Sequence, residues 1–116
     1  GDEVLGRVAR ILQERARESD VVARYGGEEF VIAFSECSLA NAVKICDTLR
    51  GHIENHPWHE LHPELRVTMS MGVSDNVPLG DAEKMLAEAD ECLYRAKQAG
   101  RNCVEPSADV TGTQPA

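Results

Sequence analysis

Val4, Leu5, Val8, Ile11 and Leu12 fall at i, i+1, i+4, i+7 and i+8, one apolar stripe that predicts a helix running to about Arg17. The period then changes. Val21 to Tyr25 and Phe30 to Phe34 are β-rich runs on either side of Gly26-Gly27-Glu28-Glu29. The adjacent glycines suit a two-residue hairpin turn that needs positive φ at both central positions. Leu39, Ala42, Val43, Cys46, Leu49 and Ile53 return to helical spacing, with Ser38 as a cap in front and His56-Pro57 as the stop. Beyond a polar loop, Val67, Met69, Met71 and Val73 alternate with Thr68, Ser70 and Gly72, which predicts a strand with one buried face. Pro78-Leu79-Gly80 breaks it. From Asp81 a long helix carries Ala82, Met85, Leu86, Ala89, Leu93 and Ala96 on one side and ends at Gly100, and Asn102 to Glu105 can add a short last strand.

This order, with no internal repeat, predicts an α+β fold in which helices cover a mostly antiparallel sheet. The folded domain is expected over 1–105, followed by a disordered tail over 106–116 that is small, polar and contains proline and glycine. Architectures of this kind normally open on a strand in the middle of the sheet, whereas this chain opens on a helix.

Composition adds constraints. With 116 residues, 42% hydrophobic, the chain can bury a core, and no apolar run approaches the length of a membrane span. No signal-peptide pattern follows Gly1-Asp2-Glu3. The four cysteines, Cys37, Cys46, Cys92 and Cys103, form no C-x-x-C pair, and three sit at apolar positions of predicted elements. They read as reduced core residues of a cytoplasmic protein. A formal net charge of -8 disfavours nonspecific nucleic-acid binding but leaves room for a single nucleotide, held by backbone N–H groups, a few cations and Mg²⁺.

The hairpin turn carries more chemistry than a turn requires. Bare glycine backbone admits phosphate oxygens closely, and the carboxylates of Glu28 and Glu29 are hard oxygen ligands suited to Mg²⁺. Four residues alone are equally compatible with a solvated turn. Arg17-Glu18-Ser19-Asp20 pairs a planar fork suited to the O6/N7 edge of guanine with a carboxylate able to accept from its N–H donors, although a surface salt bridge uses the same residues. Lys97 and Arg101 lie four apart across the last helix end, where positive charge is favourable in any case. His52, His56, His59 and His62 have part of a zinc spacing, but Pro57 interrupts it, and a polar helix end and loop is the simpler account. Trp58 in that loop is expected to cover the edge of the core.

Four ordered motifs give these residues a common context. Arg24-Tyr-Gly-Gly-Glu-Glu-Phe30 resembles the signature of the GGDEF family of diguanylate cyclases, in the variant with Glu at its third position. Gly1-Asp-Glu-Val-Leu5 is similar to the family's G-D-x-x-L helix start, and Val67-Thr-Met-Ser-Met-Gly-Val73 to its V-T-x-S-x-G-V strand. Ala89-Asp-x-x-Leu-Tyr-x-Ala-Lys-x-x-Gly-Arg-Asn102 is similar to its last helix and turn, so the resemblance covers about residues 1–104. It implies a nucleotide-cyclase-like fold with a ferredoxin-like core, here lacking the first strand. That strand and its metal-binding aspartate precede the matching region in the family, so the chain reads as an N-terminally truncated piece with little or no activity of its own.

The resemblance also implies residue roles. Asp2, otherwise a helix cap, accepts hydrogen bonds from the guanine edge; Gly26 and Gly27 line the phosphates; Lys97 and Arg101 contact the triphosphate. Glu28 ligates Mg²⁺ or Mn²⁺, and Glu29 binds metal or helps deprotonate the attacking hydroxyl. Arg17 and Asp20 match the product-inhibition site for cyclic di-GMP, while Thr48 stands where some members contribute a further arginine, with Lys44 one turn earlier. The implied reaction joins two GTP molecules into cyclic di-GMP across a homodimer, under an upstream sensory domain. The alternative is a noncatalytic cyclic di-GMP receptor or interaction module using Arg17 and Asp20. The signal received and any membrane anchoring of the parent stay open.

Overall fold

The computed structural model describes residues 2–18, 20–26, 29–34, 37–74 and 82–108. The chain divides into two compact units, Gly1–Cys37 and Ser38–Ala116.

The first unit contains helix α1 (Asp2–Arg15) and the strands β1 (Val21–Gly26) and β2 (Glu29–Ala33). The stripe is real: Val8 and Leu12, one helical turn apart, are its buried members. β1 and β2 pair antiparallel with Val21 opposite Ala33 and Arg24 opposite Phe30. The register then slips, because Gly26 pairs with Glu29, leaving Tyr25 as the extra residue of a bulge. Gly26 therefore stands in the ladder and not at the centre of the turn, a correction to the Gly-Gly hairpin expected from the sequence. Past the Arg24–Phe30 pair, β1 advances by two residues while β2 advances by one.

The second unit is built on helices α2 (Leu39–Glu54) and α3 (Ala82–Gln98) with strands β3 (Met71–Val73) and β4 (Val104–Pro106). Ser38 caps α2 as its spacing requires, its side chain accepting from the Asn41 N–H at 3.1 Å. Leu39, Ala42, Cys46, Leu49 and Ile53 form the buried stripe of that helix. After the helix, Trp58 opens a short 3-10 turn (Trp58–Glu60), is buried, and donates its indole N–H to the Ile53 carbonyl at 2.6 Å. Trp58 thus closes the core at the helix end, with His56 edge-on to its ring at 4.6 Å.

β3 and β4 pair parallel, Met71 opposite Val104 and Val73 opposite Pro106, with α3 as the connection between them. The strand predicted over Val67–Val73 is shorter than expected: among the described residues only Met71–Val73 form a ladder, since β4 offers just three partners. Gly72 allows the helix to approach the strand, because a Cβ there would overlap the Ala89 carbonyl oxygen and the Leu93 nitrogen of α3. The deepest residues of α3 are Cys92 and Ala96, both fully buried. Pro106, placed by the sequence in the tail, closes the ladder, and the Ser107 N–H donates to the Val73 carbonyl at 2.7 Å.

Candidate functional site

Gly26 and Glu29 face each other as the last described pair of the hairpin ladder. Gly27 and Glu28, which join them, lie outside the described residues, as do the side chains of Asp2 and Glu29. Backbone pairing alone sets the phase of the turn.

Arg17 and Asp20 come together. The Arg17 Nε donates to both carboxylate oxygens of Asp20 at 3.2 Å, and its Nη2 donates to Oδ1 at 3.0 Å. The same carboxylate accepts the Arg17 backbone N–H at 2.8 Å, and the Asp20 N–H returns to the Arg17 carbonyl at 2.9 Å. Asp20 thereby ties off the chain just beyond α1. Its side chain is 1% exposed against 46% for Arg17, so the guanidinium is the open partner and the carboxylate its anchor.

Lys97 lies in the last turn of α3 and Arg101 in the turn that follows it. α3 stops at a Schellman turn: Gly100 takes φ 115°, and the Arg101 N–H reaches back to the Ala96 carbonyl at 3.0 Å. Arg101 and Asn102 continue in the left-handed region, at φ 65° and 46°. Arg101 is exposed and Lys97 half-buried. The sequence reading assigned Asn102 no role and passed over Arg50, yet the two are joined: Arg50 Nη1 donates to Asn102 Oδ1 at 2.9 Å, and Asn102 Nδ2 donates to Glu54 Oε2 at 3.0 Å. The one signal available in sequence was an asparagine directly after Gly-Arg, where a left-handed residue is wanted.

Among the described residues, no three of His, Cys, Asp and Glu come together as a metal cluster. Burial pushes the Cys92 thiol above its ordinary value, while the nearby Arg95 guanidinium, donating to the sulfur at 3.2 Å, pulls the other way.

The model of the family "Diguanylate cyclase, GGDEF domain" matches residues 1–103. The chain is 43% identical over 107 residues to the response regulator PleD of Caulobacter vibrioides, covering 90% of this chain and 24% of PleD. It is 38% identical over 105 residues to diguanylate cyclase A of Treponema denticola, covering 90% of this chain and 28% of that protein. Among solved structures, the GGDEF domain of DgcB from Caulobacter crescentus in complex with c-di-GMP superposes with a TM-score of 0.83 at 27% identity, over 91% of this chain and 64% of that one. The active GGEEF domain of a diguanylate cyclase from Vibrio cholerae follows at 0.78 and 25% identity, over 93% and 69%. The chain belongs to the GGDEF family, with an α+β fold of that family's cyclase domains. It spans about a quarter of the length of these curated relatives.

Proposed function

We propose that the protein carrying this chain condenses two GTP molecules into cyclic di-GMP and pyrophosphate. The observation that supports it most is the family match over 1–103; the residue roles follow from the motifs that the chain shares with the family. Asp2 accepts from the guanine edge, and the bare backbone at Gly26 and Gly27 admits the phosphates. Lys97 and Arg101 neutralise the triphosphate, Arg101 with a planar fork. The donor set at the tip, two neighbouring carboxylates, fits a small hard cation held together with substrate phosphates. Glu28 and Glu29 would hold it, and Mg²⁺ or Mn²⁺ bound there would offset phosphate charge and lower the pKa of a nearby hydroxyl.

One chain presents one nucleotide, so two chains face each other and each ribose 3′-hydroxyl attacks the α-phosphorus held by the partner. A new O–P bond forms, the bond to the β-phosphate breaks, and pyrophosphate leaves; Glu29 accepts the hydroxyl proton or would serve as a ligand of the bound cation. Holding both nucleotides in line replaces a collision with a positioned attack. Arg17, anchored by Asp20, captures the guanine edge of the product and limits further synthesis. The cyclase is the expected activity of the complete protein in the cytoplasm, under control of whatever domain accompanies it.

Incubating the complete protein with GTP and Mg²⁺ and following cyclic di-GMP by chromatography tests this. Glu29→Gln should lower turnover by at least about a hundredfold while leaving cyclic di-GMP binding at Arg17 in place. A wild-type protein that binds cyclic di-GMP yet neither binds nor turns over GTP would instead be a receptor.

A further inference from the structure

The turn after α3 holds Gly100, Arg101 and Asn102 in succession at positive φ. Glycine does so freely; an arginine with its Cβ does so only where its surroundings hold it. The residue next to Arg101 supplies that hold. The Asn102 backbone N–H donates to Ser70 Oγ at 3.0 Å, its Oδ1 accepts from Arg50 Nη1 at 2.9 Å, and its Nδ2 donates to Glu54 Oε2 at 3.0 Å. Arg50 is itself fixed, donating to Asp47 at 2.9 Å and to Glu54 at 3.1 Å. Two of these bonds tie the turn to the last turns of α2 and the third ties it to the segment entering β3, so Asn102 is fastened from two sides. Arg101, one residue earlier, is exposed and receives none of these bonds.

We propose that Asn102, braced by Arg50 and Glu54, is a positioning residue for Arg101: the brace fixes the left-handed backbone from which the Arg101 guanidinium projects, and so sets nucleotide affinity without touching the nucleotide. This rests on Arg101 contacting the triphosphate. Preorganisation is the physical link, since a cation on a loose turn loses more freedom when it grips phosphate than one already held.

Calorimetry of a nonreacting GTP analogue with Mg²⁺ on the complete protein tests it, in wild type, R101A, N102A and the double variant. R101A should weaken binding about tenfold and N102A about threefold to tenfold. The double variant should bind no more weakly than R101A, because Asn102 acts through that side chain. N102G, which accepts the left-handed backbone without the brace, and S70A, which removes only the backbone anchor, should each fall between wild type and N102A. They carry the test if N102A does not fold. If R101A binds like wild type, the triphosphate reading falls and the inference with it. If R101A weakens binding but the Asn102 and Ser70 variants do not, or if N102A costs as much in the R101A background as alone, the reading of Arg101 stands and the positioning role is wrong.

Discussion

Gly72 and Trp58 show how much single side chains decide in this protein. A Cβ on Gly72 meets backbone atoms of α3, which cannot swing aside as a flexible side chain would. Gly72→Ala should cost about 1–3 kcal/mol or more, read as a lowered denaturation midpoint; an unchanged midpoint would show that α3 can back away from β3. Trp58→Phe keeps most of the buried ring but leaves the Ile53 carbonyl without its indole donor, and should cost about 1 kcal/mol. Cys92 makes a prediction about pH. Its thiol is raised by burial, so the folded state favours the protonated form. That contribution is complete below the ordinary thiol pKa and is lost as pH rises through the raised value. Alkylation in mildly alkaline buffer should therefore reach the half-buried Cys37 and Cys103 well before Cys92.

Helix boundaries follow local chemistry closely. Ser38 and Gly100, both legible as signals, occupy the cap and terminator places they suggest. Ser38→Ala should cost about 1 kcal/mol, and the loss should appear in α2 as faster amide exchange in its first turn. Strands were harder to read, for a physical reason. A strand exists only where a partner supplies the other half of its hydrogen bonds, so alternation from Val67 onward could not tell that, among the described residues, only Met71–Val73 would pair. In the same way, two glycines signal a turn, but the slip that puts Gly26 opposite Glu29 depends on pairing along the whole hairpin.

Among the described residues, no helix is long and apolar enough to cross a membrane. The feedback by product proposed for Arg17 and Asp20 is open to test in the complete protein. Arg17→Ala removes the exposed half of the Arg17–Asp20 pair and should weaken cyclic di-GMP binding at least about tenfold. Product should then accumulate to a higher level at an unchanged initial rate, followed by chromatography over a full time course. A lowered initial rate would place Arg17 in the synthetic site instead.

The motifs of the sequence carried the family resemblance and the candidate site residues, and its local signals gave the three helices of the described residues, with Ser38 and Gly100 at two of their ends. They do so because helix signals are local and because the motif chemistry needs particular residue types at set intervals. Folding in three dimensions decided the hairpin register, the parallel β3–β4 pair, the near-complete burial of Asp20 beside an open Arg17, and the Asn102 brace. The β3–β4 pair and the Asn102 brace join residues far apart along the chain, whose separation carries no period, so only packing could bring them into contact.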